Sequence, residues 1–141
     1  MANMYPSKKA GGGGGTETVL WTNPSPTSSL YQDSQKKPFL SDSVDNYDAI
    51  KIEYLGNTSD QINKMTAQWP VSALTAEDYG MPLATIGSWD SGGITYVRTV
   101  EIFPSNRSRM RFSTAYMTTE SGSSGSNNTY VIPLNIIGVK Y

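Results

Sequence analysis

The sequence predicts an all-β protein, an antiparallel β-sandwich (jelly-roll-like) with a flexible Gly-rich N-terminal tether. Three observations predict this class. Apolar and polar side chains alternate along most of the chain after Thr16, clusters of polar turn residues separate these stretches, and no long stretch has helical periodicity. Because successive side chains of a strand point to opposite faces, this alternation lets one face be buried while the other is hydrated. Short strands joined by polar turns are typical of sandwiches.

The N-terminal segment divides the chain into a tether, 1–15, and a sandwich domain, 16–141. Its five consecutive glycines, Gly11–Gly15, resist ordering because glycine loses more backbone entropy on folding than any other residue. Two interpretations stay open: an end without a role, and an anchor that docks on a partner. In the second, the virion-anchor candidates are Tyr5, Pro6, Lys8 and Lys9.

The strands are predicted from their alternation. In the stretch YDAIKIEYL, Ile50, Ile52 and Tyr54 share one face, opposite Lys51 and Glu53. This pattern indicates a half-buried strand. A hairpin is predicted from two further stretches, 94–103 and 109–119, on either side of the turn PSNRS. On its second arm the predicted core side chains are Met110, Phe112, Thr114 and Tyr116, and the predicted outward ones are Arg109, Arg111 and Ser113.

Two other segments complete the predicted sheets. A last strand runs from Tyr130 to Tyr141, and its Pro133 indicates an edge position or a bulge, because proline cannot donate to a β-ladder. Between Thr58 and Leu83 a short helix is possible, but the alternation and the proline of MTAQWPV favour a strand. The stretch QDSQKK is expected to be a solvated loop.

Composition excludes several classes of function. The chain has 141 residues and neither cysteine nor histidine, so it has no Cys-His or Ser-His-Asp relay, no disulfide and no ordinary zinc site. Its 12 acidic and 11 basic residues balance, which argues against a nucleic-acid partner. No apolar stretch is long enough for membrane insertion, and no signal peptide is visible, so synthesis in the cytoplasm is expected. We expect no cofactor and no enzymatic activity.

Two groups of carboxylates have both a chemical and a structural interpretation. Asp42, Asp45 and Asp48 recur at every third position and offer carboxylate oxygens of the kind that calcium binds. Their loop lacks the alternate-residue spacing and the central glycine of a dedicated calcium loop, so turn formation is favoured. A glycosidase needs two facing carboxylates, and Glu53 with Glu101 is the strand-borne pair. Pairing with neighbouring basic side chains is favoured for these two. The expected partners are Lys51 and Arg98.

Aromatic side chains on a neutral β surface suggest a second kind of partner. Sugar-binding sandwiches stack aromatic rings against pyranose faces. Tyr79 and Trp89 lie in predicted turns, where a ring has little core to fill, and they are the glycan-contact candidates. Trp21 and Trp69 lie on or beside strands and are expected in the core or at a subunit interface.

Four stretches in this order carry a family resemblance: LWTNPSPTSSLY at 20–31, NYDAIKIEYLG at 46–56, YVRTVEI at 96–102 and NNTYVIPLNIIGVKY at 127–141. The chain resembles small β-sandwich domains of tailed-bacteriophage virion proteins, which form the distal parts of tail fibres, baseplate appendages and head fibres. The resemblance covers nearly everything after Thr18. Its opening and closing stretches are the more specific ones.

The resemblance implies a displayed structural module without catalytic residues, commonly a homotrimer, joined by its preceding segment to a capsid or tail protein. Because only the short tether precedes the sandwich, a head fibre, a capsid decoration or a short tail appendage is expected. The expected location is the virion, after assembly in the host cytoplasm. An alternative is a glycan-binding adhesin used for host-cell attachment.

Overall fold

The structure, a computed structural model, describes residues 15–74, 84–89, 93–119, 122 and 124–141. Within these ranges, one short α-helix, α1, spans Asp33–Lys36, and two 3-10 helices span Val44–Asn46 and Val71–Ala73. The strands are β1 (Thr16–Thr22), β2 (Ala49–Asn57), β3 (Lys64–Pro70), β4 (Ala84–Trp89), β5 (Thr95–Phe103), β6 (Asn106–Phe112), β7 (Tyr116–Thr118), β8 (Ser124–Ser126) and β9 (Tyr130–Lys140). None of the helices in the described ranges has the length and apolarity that a membrane span requires.

The strands form two antiparallel sheets that pack face to face. One sheet has the order β1-β9-β2-β3, and the other has the order β4-β5-β7-β8, with β6 also paired to β5. The segment before β2 extends the second sheet, because the Leu40 amide donates to the Ser108 carbonyl at 2.7 Å. The antiparallel β-sandwich predicted from the sequence is therefore confirmed.

The core lies between the two sheets. Ile50 and Ile52 of β2 are fully buried and Tyr54 is nearly so, which confirms the predicted inner face of this strand. Each buried isoleucine contributes roughly 2 kcal/mol of hydrophobic stabilisation. The opposite sheet supplies Ile86, Tyr96, Val100, Ile102, Met110 and Phe112 to the same apolar cluster.

The predicted hairpin forms, but part of its second arm faces the other way. Met110 and Phe112 are buried as predicted, whereas Tyr116 is 59% exposed and the buried residue is Ala115. The cause is a register shift: Val100 pairs with Phe112, while Val97 pairs with Tyr116. One extra residue therefore lies between β6 and β7, and a one-residue shift turns every following side chain to the opposite face.

Pro133 lies in β9, an inner strand that pairs with β1 on one side and with β2 on the other. β9 is therefore not an edge strand, although its pairing with β1 ends at Asn135 and leaves Pro133 paired with β2 alone. The bulge is confirmed, because Glu53 pairs with Asn135 but Tyr54 pairs with Pro133, which leaves Leu134 outside the register. The Pro133 carbonyl accepts a hydrogen bond of 2.8 Å from the side-chain amide of Asn23.

Of two connecting segments, one forms the predicted strand and the other contains a helix where a loop was predicted. The strand favoured between Thr58 and Leu83 exists as β3, while residues 75–83 lie outside the described residues. The predicted loop QDSQKK instead contains α1. Its Gln35 is buried because Nε2 donates to Asn23 Oδ1 and to the Ser25 carbonyl, both at 3.0 Å.

Arg98 of β5 is a fully buried cation, not the surface partner of a carboxylate that the sequence analysis expected. All five of its N–H groups are used. Their acceptors are the carbonyl oxygens of Ser113, Asn128, Tyr130 and Val131, and Asn128 Oδ1, at 2.5 to 3.5 Å. Burial lowers the pKa of Arg98 to about 10, so its guanidinium stays charged at neutral pH.

Val131, one of the residues that Arg98 binds, has a φ of 54°. A β-branched residue is strained in this left-handed region, at a cost on the order of 1–3 kcal/mol. Arg98 Nε donates to the Val131 carbonyl at 2.8 Å and so holds the peptide unit that follows the strained residue. The buried cation therefore fixes the start of β9 to β5.

Gly138 of β9 permits the close approach of an aromatic ring. A Cβ atom added at this position would lie 2.5 Å from Cδ1 of Tyr47 and 2.6 Å from its Cγ. The Tyr47 hydroxyl donates to Asp42 Oδ2 at 3.0 Å, which holds the far end of the ring. Only glycine leaves room for the ring to pack on the backbone here.

Candidate functional site

A cleft of about 630 Å³ opens at one end of the sandwich. It lies where β2 and β4 end and where β3, β5 and β9 begin, so five strands contribute to its walls. A volume of this size is typical of small-molecule sites. The described lining residues are Gly56, Asn57, Asp60, Asn63, Met65, Gly87, Ser88, Thr95 and Tyr130.

One wall is a loop that its own side chains hold in place. Asn57 Oδ1 accepts hydrogen bonds from the Ser59 amide at 2.9 Å, the Ser59 hydroxyl at 2.7 Å and the Asp60 amide at 2.9 Å. Asp60 Oδ1 accepts from the amides of Ile62 and Asn63, both at 3.1 Å. These are the Asx-type bonds by which Asn and Asp favour turns. The loop is therefore ordered before any ligand arrives.

Protonation of Asp60 is expected to loosen this loop. The side-chain amide of Asn63 is the largest of three hydrogen bonds that lower the pKa of Asp60 from its usual 3.8. When the folded structure lowers the pKa of a carboxyl group, the group stabilises that structure fully above its usual pKa. This stabilisation is lost as the pH falls through the lowered pKa. The amide shifts of Ile62 and Asn63, followed by NMR, should therefore move only below about pH 4. Asp60→Asn, which cannot ionise, should remove this pH dependence, and a shift centred near neutral pH would contradict the assignment.

The other wall carries a fixed aromatic ring. The rings of Tyr130 and Tyr96 are stacked, with centroids 3.7 Å apart and planes 4° from parallel. Tyr130 is a lining residue of the cleft, whereas Tyr96 is buried and is not, so only the face of the Tyr130 ring turned away from Tyr96 is available to a ligand. Tyr54 ties the walls together, because its hydroxyl donates to the Gly87 carbonyl at 3.0 Å.

The predicted site residues relate to this cleft in different ways. Trp89 is the last residue of β4, not part of a turn as predicted, and it directly follows the cleft residue Ser88. Tyr79 lies outside the described residues. The anchor candidates Tyr5, Pro6, Lys8 and Lys9 also lie outside them.

Asn57, Asp60, Thr95 and Tyr130 line the cleft but were not predicted as site residues from the sequence. The stretch NTSDQIN, immediately after an alternating strand, contained a usable signal, because closely spaced Asn and Asp favour a self-bonded turn. Thr95 and Tyr130 gave no such signal. They reach the cleft only because β5 and β9 begin at the same end of the sandwich.

The two half-buried tryptophans outside the cleft pack on the core. Trp21 and Trp69 both contact the apolar cluster. The ring of Trp21 lies 6.1 Å from that of Phe112, between centroids, at a tilt of 41°. These contacts agree with the core interpretation of both residues.

The aspartates of the possible calcium loop have structural partners. Asp42 accepts hydrogen bonds from the Ser43 amide, the Asn46 side chain and the Tyr47 hydroxyl. Asp45 pairs with Arg107 at 2.8 Å, and Asp48 accepts from the Tyr141 amide. The turn interpretation is therefore supported.

The strand-borne glutamates have partners other than the expected ones. Glu53 accepts a hydrogen bond from Asn135 Nδ2 at 2.9 Å, while Glu101 pairs with Arg111. Lys51 pairs with Glu17 instead. Within the described ranges, no group of three or more acidic side chains is placed to hold a metal ion. Comparisons with protein-family models, curated proteins and solved structures find no match for this chain.

Proposed function

We propose that the chain is a non-enzymatic structural protein of a tailed-bacteriophage virion, a head fibre, capsid decoration or short tail appendage. Segment 1–15 would join a capsid or tail protein, and the sandwich would be displayed, commonly as a homotrimer. One observation carries the proposal. The stretches that resemble virion sandwich domains contain β9, all but the end residues of β2 and β5, and the end of β1, so three of the four lie on adjacent strands of one sheet.

The direction of the chain also supports a displayed module. Thr16, the first residue of β1, pairs with Lys140 at one end of β9, whereas the cleft contains Tyr130 at the other end. These ends are separated by the 11 residues of β9, about 33 Å of extended strand. A chain held by its N-terminal segment would therefore present the cleft away from the particle.

The anchor role is tested by removing residues 1–14 and measuring incorporation into particles. We expect the shortened chain to keep its circular dichroism spectrum and its thermal unfolding temperature, because the sandwich begins beyond the deletion. It should be absent from purified particles. Normal incorporation of the shortened chain would overturn the anchor role.

A matched full-length variant separates recognition from length. Replacing Tyr5, Pro6, Lys8 and Lys9 by serine keeps the tether's length and removes the candidate contacts. We expect this variant to be excluded from particles as well. Sedimentation of the isolated chain tests the homotrimer, which a monomer at all concentrations would contradict.

A further inference from the structure

We propose that the cleft binds one neutral sugar residue of a surface polysaccharide, with Tyr130 as the ring platform and with Asn57 and Thr95 as hydrogen-bonding groups. This inference goes beyond a structural role and does not require the chain to be part of a particle. It also moves the glycan contact from Tyr79 and Trp89 to residues of the described cleft.

The groups that remain free in the cleft fit a sugar. Asn57 uses only Oδ1 to hold its loop, and its Nδ2 donates to none of the described residues. The Thr95 hydroxyl and the Tyr130 hydroxyl likewise have no hydrogen-bond partner among the described residues. A pyranose offers hydroxyl groups that both donate and accept, so it satisfies an amide donor and two hydroxyls together.

The ring of Tyr130 supplies the apolar part of the site. A pyranose has a face of C–H groups that packs against an aromatic ring. Because Tyr96 stacks on Tyr130 and is itself buried, the ring is held without a ligand. The hydrogen bonds within the Asn57–Asn63 loop hold the opposite wall. Such preorganisation lowers the entropy cost of binding.

Charge favours a neutral ligand over an ion. Asp60 is the one ionisable acid among the described lining residues, and they include no lysine or arginine to attract an anion. Most of the oxygen lone pairs that a cation would need are engaged: Asn57 Oδ1 accepts three hydrogen bonds, Asp60 Oδ1 accepts two, and Asp60 Oδ2 accepts one from Asn63 Nδ2. A purely apolar ligand would leave the amide and hydroxyl groups without partners, which is unfavourable.

The test uses the full chain and a panel of free sugars, namely glucose, galactose, mannose and N-acetylglucosamine, with sialic acid as the charged comparison. Saturation-transfer NMR identifies which sugar binds, and titration calorimetry or chemical-shift titration gives its affinity. We expect at least one neutral sugar to bind, with the same affinity in EDTA. Absence of binding by every neutral sugar, binding of sialic acid alone, or loss of binding in EDTA would each overturn the inference.

Four substitutions at three positions assign the binding to the cleft. Asn57→Asp keeps the Oδ1 acceptor that holds the loop but replaces the free Nδ2 donor, and Thr95→Val removes one hydroxyl with little change of shape. Each should weaken binding about tenfold. Tyr130→Phe should retain the stacking part of the affinity, while Tyr130→Leu should lose it.

The matched control is Asn106→Asp, at the turn that follows the far end of β5. Asn106 Oδ1 also holds its own turn, by accepting from the Ser108 amide at 2.9 Å, and this residue is not part of the cleft. We expect this control to bind the sugar like the unmodified chain. Unchanged binding by Asn57→Asp and Thr95→Val would overturn the cleft as the site. Because incorporation into particles is measured separately, either proposal can fail while the other stands.

Discussion

Replacing Arg98 with methionine is expected to lower the free energy of unfolding by about 3 kcal/mol or more. Methionine fills much of the same volume, but the buried acceptors from Ser113, Asn128, Tyr130 and Val131 then lose their donors. Each buried polar group left without a partner costs about 1–3 kcal/mol, and removal of the buried charge offsets part of this sum. Chemical denaturation followed by tryptophan fluorescence measures the change.

Two variants show whether the geometry of the guanidinium or its charge matters. Arg98→Lys keeps the charge but offers three donors from one nitrogen, which cannot reach acceptors arranged around a planar fork. We expect it to be nearly as destabilising as methionine. Lys140→Met, which removes an exposed cation 3.7 Å from Asp48, should change stability by no more than about 0.5 kcal/mol. Full stability of Arg98→Lys would show that the carbonyl network is not the cause.

Replacing Gly138 with alanine is expected to cost about 2 kcal/mol, because the new methyl group would overlap the ring of Tyr47. The ring cannot easily move away. Its hydroxyl is held by Asp42 at 3.0 Å, and the affected atoms include Cγ, close to the backbone. Thermal or chemical unfolding of the single variant gives the cost.

A double-mutant cycle tests the cause of this loss. Tyr47→Leu removes most of the ring and is destabilising alone, but Gly138→Ala should cost much less in its presence. Additive effects of the two substitutions would show that the alanine disturbs the strand and not the ring. Gly125→Ala provides a comparison in which the neighbour can move. A Cβ atom added at Gly125 would lie 2.9 Å from Cε of Met117, the flexible end of that side chain.

The inner face of β2 could be predicted because the alternation of Ile50, Ile52 and Tyr54 continues without interruption through the strand. The exposure of Tyr116 could not. A single extra residue after Phe112 reverses the faces, and nothing in RFSTAYM distinguishes a bulged strand from a regular one. The same limit applies to Pro133, whose chemistry indicates a bulge without indicating which strands flank it.

Arg98 shows a second limit of prediction from the sequence. Its place between Tyr96 and Val100 on an alternating strand indicates the inner face, but its charge suggests the surface. The charge can be buried because Arg98 donates to carbonyl groups that lie 15 to 33 positions away along the chain. No local pattern contains that information.

Only the approximate location of the candidate site could be predicted from the sequence. Trp89 adjoins the cleft, but the residues that line it come from the ends of five different strands and from the loop between β2 and β3. Their proximity depends on strand order, which the sequence analysis did not determine. The polar turn after β2 is the part whose local chemistry was sufficient to indicate a built loop.

The position of β9 between β1 and β2 has a consequence for biosynthesis. The last strand in chain order among the described residues is the one that joins the first strand to the second, so this sheet cannot close while the residues of β9 are still inside the ribosome. In a nascent chain, the edges of β1 and β2 that pair with β9 therefore stay without this partner until β9 has left the ribosome. Long-range pairing of this kind is slow and exposes the growing polypeptide to aggregation, so folding should benefit from chaperones and from lower growth temperature.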